Sequence, residues 1–235
     1  MTGRRVSVVI PCLDEGAIVQ ERLEALQSLR QQVHELILVD GGSRDGTAES
    51  ARPLVDRVIV TAAGRARQMN RGASLASGDI LWFLHLDSML PVDAVPAVQR
   101  CGAGAHAWGR FGIRLSGRDP VFRVVERLMN WRSRLSGIAT GDQGIFVSRE
   151  LYRRVGGYPE IPIMEEIAFS KRLKRYARPV CVDQFITTSS RRWERNGPLR
   201  TIALMWFMRL AYALGADPAW LAGLYRQCSS PRLEY

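Results

Sequence analysis

Two acidic side chains follow short apolar runs of the kind that forms a buried β-strand. Asp40 ends the run 36–40, and Asp87 stands three residues after the run 80–84. An open α/β sheet presents its ligand-binding groups at the carboxyl ends of its strands. Carboxylates at two such strand ends are suited to a metal ion and to the polar parts of a nucleotide. The sequence therefore predicts a nucleotide and metal site at one edge of a sheet.

The elements that must position these carboxylates are predicted by the spacing of apolar residues. In the first hundred residues the pattern predicts strands at 6–11, 35–39, 57–61 and 80–84, and helices at 18–29, 47–55, 65–76 and 91–100. This alternation is typical of a parallel sheet with crossover helices. Beyond it, the pattern predicts helices at 119–136, 149–155 and 165–176, and extended segments at 106–115, 141–147, 179–182 and 185–189.

Charge and size narrow the classes of protein that fit. The 235 residues fit a single domain, and only Lys171 and Lys174 of the 33 basic residues are lysines, at a net charge of +10. This charge fits a solvated basic surface, a bound nucleotide diphosphate or an acidic acceptor, and for 199–225 an anionic membrane face. A nucleic-acid-binding module would interleave basic residues with exposed aromatic ones. Since Trp82 and Trp206 lie in apolar runs, no nucleic-acid partner is expected.

The cysteines and the N-terminal residues indicate in which cellular compartment the protein is expected. The four cysteines are scattered, without a C-x-x-C pair or a histidine at zinc-ligand spacing. This spacing favours neither a disulfide framework nor a structural zinc site. The short apolar run 6–11 is followed at once by acidic residues, unlike a secretory signal. We expect a cytoplasmic protein, with membrane association as the open alternative.

Several motifs occur in a characteristic order: VVIPCLDE at 8–15, VDGGSRDGT at 39–47, HLD at 85–87 and MEE at 164–166. This order resembles the family 2 inverting glycosyltransferases with the GT-A fold, from about Val6 to Trp193. The resemblance implies one α/β, GT-A-like domain over 1–235, with a Rossmann-like, mostly parallel central sheet flanked by helices. Its expected parts are a nucleotide-sugar half at about 1–100, an acceptor half at about 101–198 and a helical C-terminal segment at about 199–235.

The resemblance assigns the nucleotide-sugar donor to the first half of the chain. Asp40 is expected to accept a hydrogen bond from the nucleobase, usually uracil. The other expected donor-binding residues are Pro11, Leu13 and Glu15 at the base and ribose, Arg65, Arg67 and Asn70 near the phosphates, and Leu86. Guanidinium groups suit phosphate oxygens because they offer paired donors, so both Arg67 and Arg65 are expected in this role. For Arg67 this role is preferred over a mere surface charge. Asp45 is expected to cap the helix after Thr47.

The resemblance places a divalent cation, Mn²⁺ or Mg²⁺, at Asp87. This residue matches the last acid of the family's D-x-D motif, which binds the cation and so neutralises the departing diphosphate. His85 stands where the first aspartate is usual. Asp87 is therefore expected to be the main ligand, while His85 is either a second ligand or a hydrogen-bonded histidine at the end of a strand.

The resemblance places the catalytic base at the start of the helix 165–176. The base of an inverting enzyme removes the proton of the acceptor as it attacks the anomeric carbon. Glu166 matches that position, with Glu165 as the second choice. The alternative is that two carboxylates at a helix N-terminus only favour the helix dipole.

The acceptor is expected to face the loop that contains Gly141, Asp142 and Gln143, and also Arg192 and Trp193. Asp142 and Gln143 could bind sugar-like hydroxyls, and Asp142 could equally satisfy amides of its own turn. Ser189 stands where a processive polysaccharide synthase of this family has glutamine, which makes such a synthase an unfavoured interpretation.

The function implied is a metal-dependent inverting glycosyltransferase that moves a sugar from a nucleotide sugar, expected to be a UDP-sugar, to a small-molecule acceptor. The short length and the H-x-D variant resemble the small family 2 members of arsenosugar biosynthesis. The alternatives are a sugar nucleotidyltransferase and transfer to a lipid-phosphate acceptor at the membrane, with a nucleic-acid-binding module last.

The stretch 201–216 is apolar apart from Arg209 and is shorter than the roughly 20 residues of a membrane span. It must pack inward, meet a second subunit or touch lipid. We favour packing and a homodimer, and keep peripheral membrane contact as the alternative.

Overall fold

The computed structural model describes residues 3–228, except the side chains of Arg192 and Asn196. These residues form a seven-stranded mixed sheet in the order β3-β2-β1-β4-β6-β5-β7. The strands are β1 Val6–Cys12, β2 Glu35–Asp40, β3 Arg57–Val60, β4 Ile80–Phe83, β5 Trp108–Leu115, β6 Phe146–Ser148 and β7 Val180–Thr188.

Helices cover both faces of the sheet. Their bounds are α1 Gly16–Glu24, α2 Gln27–Arg30, α3 Thr47–Ala51, α4 Arg65–Leu75, α5 Ala94–Cys101, α6 Pro120–Ser136, α7 Arg149–Arg154, α8 Glu165–Leu173, α9 Arg191–Asn196, α10 Pro198–Ala213 and α11 Pro218–Cys228. Short 3₁₀ turns lie at Arg52–Leu54 and Gly141–Gln143. The mostly parallel α/β sheet with a helical C-terminal segment is therefore confirmed.

The directions of the strands bring the loops after β1, β2, β4 and β7 to one edge of the sheet. Strands β1, β2, β3 and β4 pair in parallel, and Cys12 is in register with Asp40. Strand β6 is antiparallel to β4, and β5 and β7 are again parallel to each other. Consequently the carboxyl ends of β1, β2, β4 and β7 share an edge with the amino end of β6, which follows the turn at Gly141–Gln143.

The core has two layers because alternate strand residues face opposite sides of the sheet. Val8, Leu38 and Trp82 face the layer that α1 and α5 cover, whereas Val9, Ile37 and Phe83 face α4 and α8. Burial on both sides explains why these strands read as continuous apolar runs in the sequence.

Helix α4 approaches the sheet closely at Gly72. A Cβ atom there would overlap the Val9 side chain and lie 2.9 Å from Cγ2 of Val39. We expect Gly72→Ala to lower the free energy of unfolding by about 1–3 kcal/mol, because an added methyl group forces the helix away from a packed core. Urea denaturation measures this change. Gly223→Ala in α11 is the matched control, since no atom lies within 4 Å of that Cβ; a loss as large there would contradict the packing argument.

Three local predictions were wrong in detail. The helix expected at 18–29 divides into α1 and α2, where the Gln27 side chain donates to the carbonyl oxygens of Leu23 and Leu54 at 2.8 and 2.9 Å. The strand expected at 141–147 begins only at Phe146. Its first residues form a turn that ends at Gly144, whose φ of 59° is left-handed. The extended segments 179–182 and 185–189 form one strand, β7, with an irregularity in its pairing to β5.

The stretch 201–216 packs inward with one side only. Met208 of α10 and Leu221 of α11 are buried against Ile138, Met164 and Ile167. Trp206, Phe207, Leu210 and Leu214 remain exposed. Within residues 3–228, no helix has both the length and the apolar character that crossing a bilayer requires.

Candidate functional site

The carboxylate of Asp40 is buried at the end of β2 and is engaged by its own turn. It accepts hydrogen bonds from the backbone N–H groups of Gly42 and Ser43 at 3.0 and 2.9 Å, and from the Ser43 hydroxyl. The thiol of Cys12 lies 3.9 Å away. Asp40 therefore shapes the loop after β2, and its predicted contact with a nucleobase stays a prediction.

The loops after β1 and β2 are held together by several hydrogen bonds. The backbone N–H of Asp14 donates to the Ser43 hydroxyl at 2.8 Å, and that of Glu15 donates to the Thr47 hydroxyl at 2.9 Å. Asp45 accepts from the backbone of Gly16 at 2.7 Å and from Thr47, and these bonds lower the pKa of Asp45. Pro11 is the sixth residue of β1, and Leu13 follows that strand. A nucleotide at this edge would meet a rigid pair of loops.

Helix α4 sends its two candidate arginines in different directions. The Arg65 guanidinium approaches the carboxylates of Glu166 and Glu165, with Nε 3.5 and 4.0 Å from their Oε1 atoms. Arg67 pairs with the exposed Glu160 at 3.4 Å. The sequence analysis expected both arginines at the phosphates. The structure places Arg65 beside Glu166 and Arg67 beside Glu160, and their contacts with phosphate stay predictions.

Two side-chain amides on α4, those of Asn70 and Gln68, form hydrogen bonds to neighbouring segments of the chain. The Asn70 side chain donates to the Tyr158 carbonyl and accepts from the Tyr152 hydroxyl and the Tyr158 N–H, at 2.6–2.9 Å. The buried Gln68 donates to the carbonyl oxygens of Cys12 and Val39 at 2.6 and 2.9 Å. The structure thus gives Asn70 three partners within the protein. The sequence analysis missed Gln68, although a glutamine on the apolar side of a helix is a recognisable signal.

Three polar side chains from distant segments converge at Gly141. A Cβ atom on Gly141 would lie 2.5 Å from Nε2 of His85, 2.6 Å from Oε1 of Glu166 and 3.0 Å from Nη2 of Arg65. These groups come from the loop after β4, the start of α8 and the start of α4. Glycine is the residue that leaves room for them, and the arrangement juxtaposes an imidazole, a carboxylate and a guanidinium.

His85 and Asp87 face different neighbours across the turn after β4. Nε2 of His85 is buried and has no hydrogen-bond partner within the described part of the chain. Burial, and then the charge of Arg65, lower the pKa of His85 well below its usual range, so its imidazole is neutral. Burial, and then Asp87, raise the pKa of Glu15, whereas Arg191 opposes this shift. Asp87 and Arg191 thus act on Glu15 with opposite charges, and both line the same cleft.

By their chemistry, His85 and Asp87 stay candidate ligands of a divalent cation, although the structure gives the two side chains different neighbours. A neutral, unpaired imidazole and a carboxylate are suitable ligands for such an ion. In residues 3–228 there is no group of three or more His, Cys, Asp and Glu side chains that could hold a metal by themselves. Phosphate oxygens would have to complete the coordination.

The two carboxylates at the start of α8 differ in their surroundings. Glu165 is almost fully buried, and burial followed by the charge of Glu166 raises the pKa of Glu165 to about 7, against the effect of Arg65. Glu166 has the more exposed side chain of the two and reaches the convergence point at Gly141. Met164, which precedes them, has a left-handed φ of 70° and turns the chain into the helix.

The raised pKa of Glu165 predicts how stability depends on pH. A carboxyl whose pKa is higher in the folded state stabilises the fold below its unfolded pKa, and this contribution is lost as the pH rises through about 7. We expect Glu165→Gln to exceed the wild-type free energy of unfolding by about 1–3 kcal/mol at pH 8, and to match it near pH 5. Urea denaturation at both pH values measures the difference. The exposed Glu49→Gln serves as control, and equal curves for Glu165→Gln and wild type at pH 8 would contradict the burial argument.

The residues expected at the acceptor divide into two groups. Gly141 and Asp142 lie at the site, and burial raises the pKa of Asp142, against the effects of Thr140, Arg65 and Arg132. The buried Gln143 accepts from the Thr140 N–H and the Ser133 hydroxyl at 3.1 Å, and so holds its own turn. The structure uses this glutamine amide within the protein.

The remaining two acceptor residues lie on α9. Trp193 packs against Leu115 and Phe122. The side chain of Arg192 lies outside the described residues.

A cleft of about 290 Å³ adjoins Asp87. It is lined by Asp87, Arg22, Ser116, Ser190, Arg191 and Glu194, among others. The sequence analysis did not select Arg22 or Arg191. Arg191 follows β7, whose carboxyl end shares the edge of the sheet with Asp87, so the topology explains this meeting.

Comparisons with known proteins find similar sequences. Residues 7–100 match the family described as Glycosyl transferase family 2. An undecaprenyl-phosphate 4-deoxy-4-formamido-L-arabinose transferase of Yersinia enterocolitica is 30% identical over 165 residues, 64% of this chain and 49% of that protein. A PGL/p-HBAD biosynthesis glycosyltransferase of Mycobacterium bovis is 36% identical over 97 residues, 38% of each chain. The chain spans about half the length of the first relative and less of the second.

Solved structures show the same architecture. A mannosyltransferase from Pyrobaculum calidifontis, in complex with GDP-Man and Mn²⁺, matches with a TM-score of 0.68 and 21% identity, over 97% of this chain and 70% of that chain. Glucosyl-3-phosphoglycerate synthase from Mycobacterium tuberculosis, in complex with Mn²⁺, UDP and glucosyl-3-phosphoglycerate, matches with a TM-score of 0.56 and 23% identity, over 80% and 71%. The fold expected from the motifs is thereby confirmed: the chain has the GT-A fold, and its residues 7–100 are similar to glycosyl transferase family 2.

Proposed function

We propose that this protein is a metal-dependent inverting glycosyltransferase that moves a sugar from a nucleotide sugar to a hydroxyl group of a small acceptor. The observation that carries the proposal is the convergence of His85, Glu166 and Arg65 at Gly141. It lies at the sheet edge where the loops after β1 and β2 form a rigid frame for a nucleotide. The match of residues 7–100 to glycosyl transferase family 2 and the GT-A fold support the same activity.

Glu166 acts as the general base in this proposal. Its carboxylate accepts the proton of the acceptor hydroxyl while the hydroxyl oxygen bonds to the anomeric carbon. The bond between that carbon and the diphosphate oxygen breaks on the opposite face, so the sugar is transferred with inversion. Because its pKa is raised to about 7, Glu165 is only partly ionised near neutral pH, which limits repulsion next to Glu166.

Arg65 and the H-x-D segment bind the diphosphate of the donor in this proposal. The Arg65 guanidinium lies beside Glu166 and can turn to a phosphate oxygen, for which its paired donors are suited. Asp87 and His85 would hold a divalent cation, Mn²⁺ or Mg²⁺, which neutralises charge on the departing diphosphate when bound. Mn²⁺ is present in the structures of the two GT-A proteins named above.

The acceptor class separates this proposal from its nearest rival. The arabinose transferase relative is named for undecaprenyl phosphate, a lipid phosphate. A phosphate acceptor is already ionised at neutral pH, since its second pKa is about 6, and it needs no base. The carboxylate of Glu166 at the convergence point therefore favours a hydroxyl acceptor, and the resemblance to arsenosugar-biosynthesis members supports a small one.

A donor screen tests the activity. UDP-, GDP- and dTDP-sugars are incubated with the protein and Mn²⁺ or Mg²⁺, and released nucleoside diphosphate is measured, with EDTA as the control. We expect slow, metal-dependent hydrolysis of one donor, with UDP-sugars the first candidates. The proposal fails if no donor is hydrolysed and calorimetry shows no binding of UDP or GDP with Mn²⁺. Release of pyrophosphate from a nucleoside triphosphate and a sugar phosphate would instead support a nucleotidyltransferase.

A further inference from the structure

Helix α6 carries an exposed apolar stripe. Its members are 40–68% exposed and recur every three or four residues, which places them on one side of the helix: Val121, Val124, Leu128, Trp131 and Leu135. The opposite side, with Phe122 and Val125, is buried in the core. The stripe is thus an additional apolar surface that the fold of the described chain leaves uncovered.

The C-terminal helices carry a second exposed group of large apolar side chains. Their exposure is 49–80%, and they are Leu199, Trp206, Phe207, Leu210, Leu214 and Trp220. Helices α6 and α10 are neighbours, because Phe122 and Val125 of α6 share a small core with Ile202 of α10. We call the exposed apolar residues of α6, α10 and α11, together with their flanking arginines, the arginine-flanked face.

The charge of this face has one sign along the helices. Exposed arginines on it are Arg127, Arg134, Arg200 and Arg226. Arg134 also pairs with the exposed Asp183 of β7 at 2.6 Å. Helices α10 and α11 contain no acidic residue, and the single acid of α6, Glu126, is buried and accepts from the Leu115 N–H at 2.6 Å. Apolar side chains, tryptophans and flanking arginines together are the pattern of a helix that lies in the surface of an anionic bilayer.

The same charges disfavour binding of a second copy of the chain to the arginine-flanked face. The α6 stripe has coiled-coil-like spacing, and Arg127 and Arg134 border it. A symmetric contact through this stripe would set these arginines against their own copies, and like charges at such a seam repel. Anionic lipid headgroups instead pair with them.

We infer that the arginine-flanked face docks this protein on an anionic lipid surface. The inference goes beyond the proposed transfer reaction, since docking requires neither donor nor base. Met208 and Leu221 pack against Met164, the residue before Glu165. The lipid-facing helices therefore support the start of the helix that carries Glu166.

Co-sedimentation with vesicles tests the inference. The purified full chain is mixed with vesicles of phosphatidylcholine alone, or of phosphatidylcholine and phosphatidylglycerol in equal parts. We expect pelleting with the anionic vesicles only, reversed by high salt. Two apolar double variants should each lower the partition coefficient by about tenfold or more: Leu128→Glu/Trp131→Glu and Trp206→Glu/Leu210→Glu. The double variant Arg127→Glu/Arg134→Glu should lower it by a similar factor, because each basic residue near an anionic surface contributes about fivefold.

Val92→Glu is the matched control, because Val92 is fully as exposed but lies outside the face; its binding should equal that of wild type. Thermal unfolding shows whether each variant folds. For wild type alone, quenching of tryptophan fluorescence by brominated lipid should report insertion of Trp131, Trp206 or Trp220. The inference is wrong if wild type stays in the supernatant, if Val92→Glu weakens binding as much as the others, or if sedimentation shows a dimer that these substitutions dissociate without any lipid binding. Donor hydrolysis is measured separately, so failure of docking leaves the proposed function standing.

Discussion

Glu166→Gln is expected to lower metal-dependent donor turnover by about 10²- to 10⁴-fold, the usual loss when a general base is removed. Glutamine keeps the size of the side chain and its approach to Gly141 and Arg65, but it cannot accept the acceptor proton. Binding of UDP with Mn²⁺ should stay close to that of wild type, because the nucleotide is proposed to contact the loops after β1 and β2, away from Glu166. Release of nucleoside diphosphate from the donor found in the screen measures the first effect, and calorimetry measures the second.

Glu160→Gln is the matched control for this change. Glu160 is exposed and pairs with Arg67 rather than with Arg65, so its variant should turn over the donor as wild type does. If Glu166→Gln turned over the donor as wild type does and Glu165→Gln were inactive, Glu165 rather than Glu166 would be the general base. Normal transfer to a phosphate acceptor by Glu166→Gln would support the rival acceptor class.

Asp87→Ala is expected to abolish metal-dependent binding of UDP while the fold is kept. The described chain offers the cation few ligands beyond Asp87 and His85, so the loss of one carboxylate removes much of the protein's share of the coordination. Calorimetry with UDP, in the presence and absence of Mn²⁺, measures the effect. His85→Asp should restore the usual pair of acids and tighten binding of the cation.

Asp93→Ala provides the comparison, since Asp93 is an exposed carboxylate before α5, and its side chain makes no capping hydrogen bond. The two variants should have similar thermal stability. Asp93→Ala should bind UDP in the presence of Mn²⁺ as wild type does, whereas Asp87→Ala should not. Unchanged binding of UDP and Mn²⁺ in Asp87→Ala would show that the metal assignment is wrong.

Much of the fold could be predicted because the strands are buried on both faces. Their continuous apolar runs and the charged, amphipathic helices between them are local patterns that need no tertiary information. The turn at Gly141–Gln143 could not be predicted in this way. Its apolar neighbours resemble a strand, whereas Thr140 and Gln143 cap each other and Gly144 adopts a left-handed conformation.

The roles of individual side chains were less predictable than their positions. Asn70 and Gln143 are polar residues at motif positions, and the sequence analysis assigned them to ligands. In the structure their amides bond to Tyr158, Tyr152, Ser133 and Thr140. A buried amide must satisfy its hydrogen bonds, and the sequence does not show which partners the fold will supply.

By itself, the sequence determined that carboxylates end strands of one α/β sheet and that a glutamate pair opens a later helix. It placed both Arg65 and Arg67 near the phosphates, although residues two apart on a helix point in nearly opposite directions. Only the tertiary structure decided that Arg65 is the one that meets Glu166. The physical reason is strand direction: β6 runs antiparallel to β4, so the turn at Gly141 returns to the edge where His85 lies and where α4 and α8 begin.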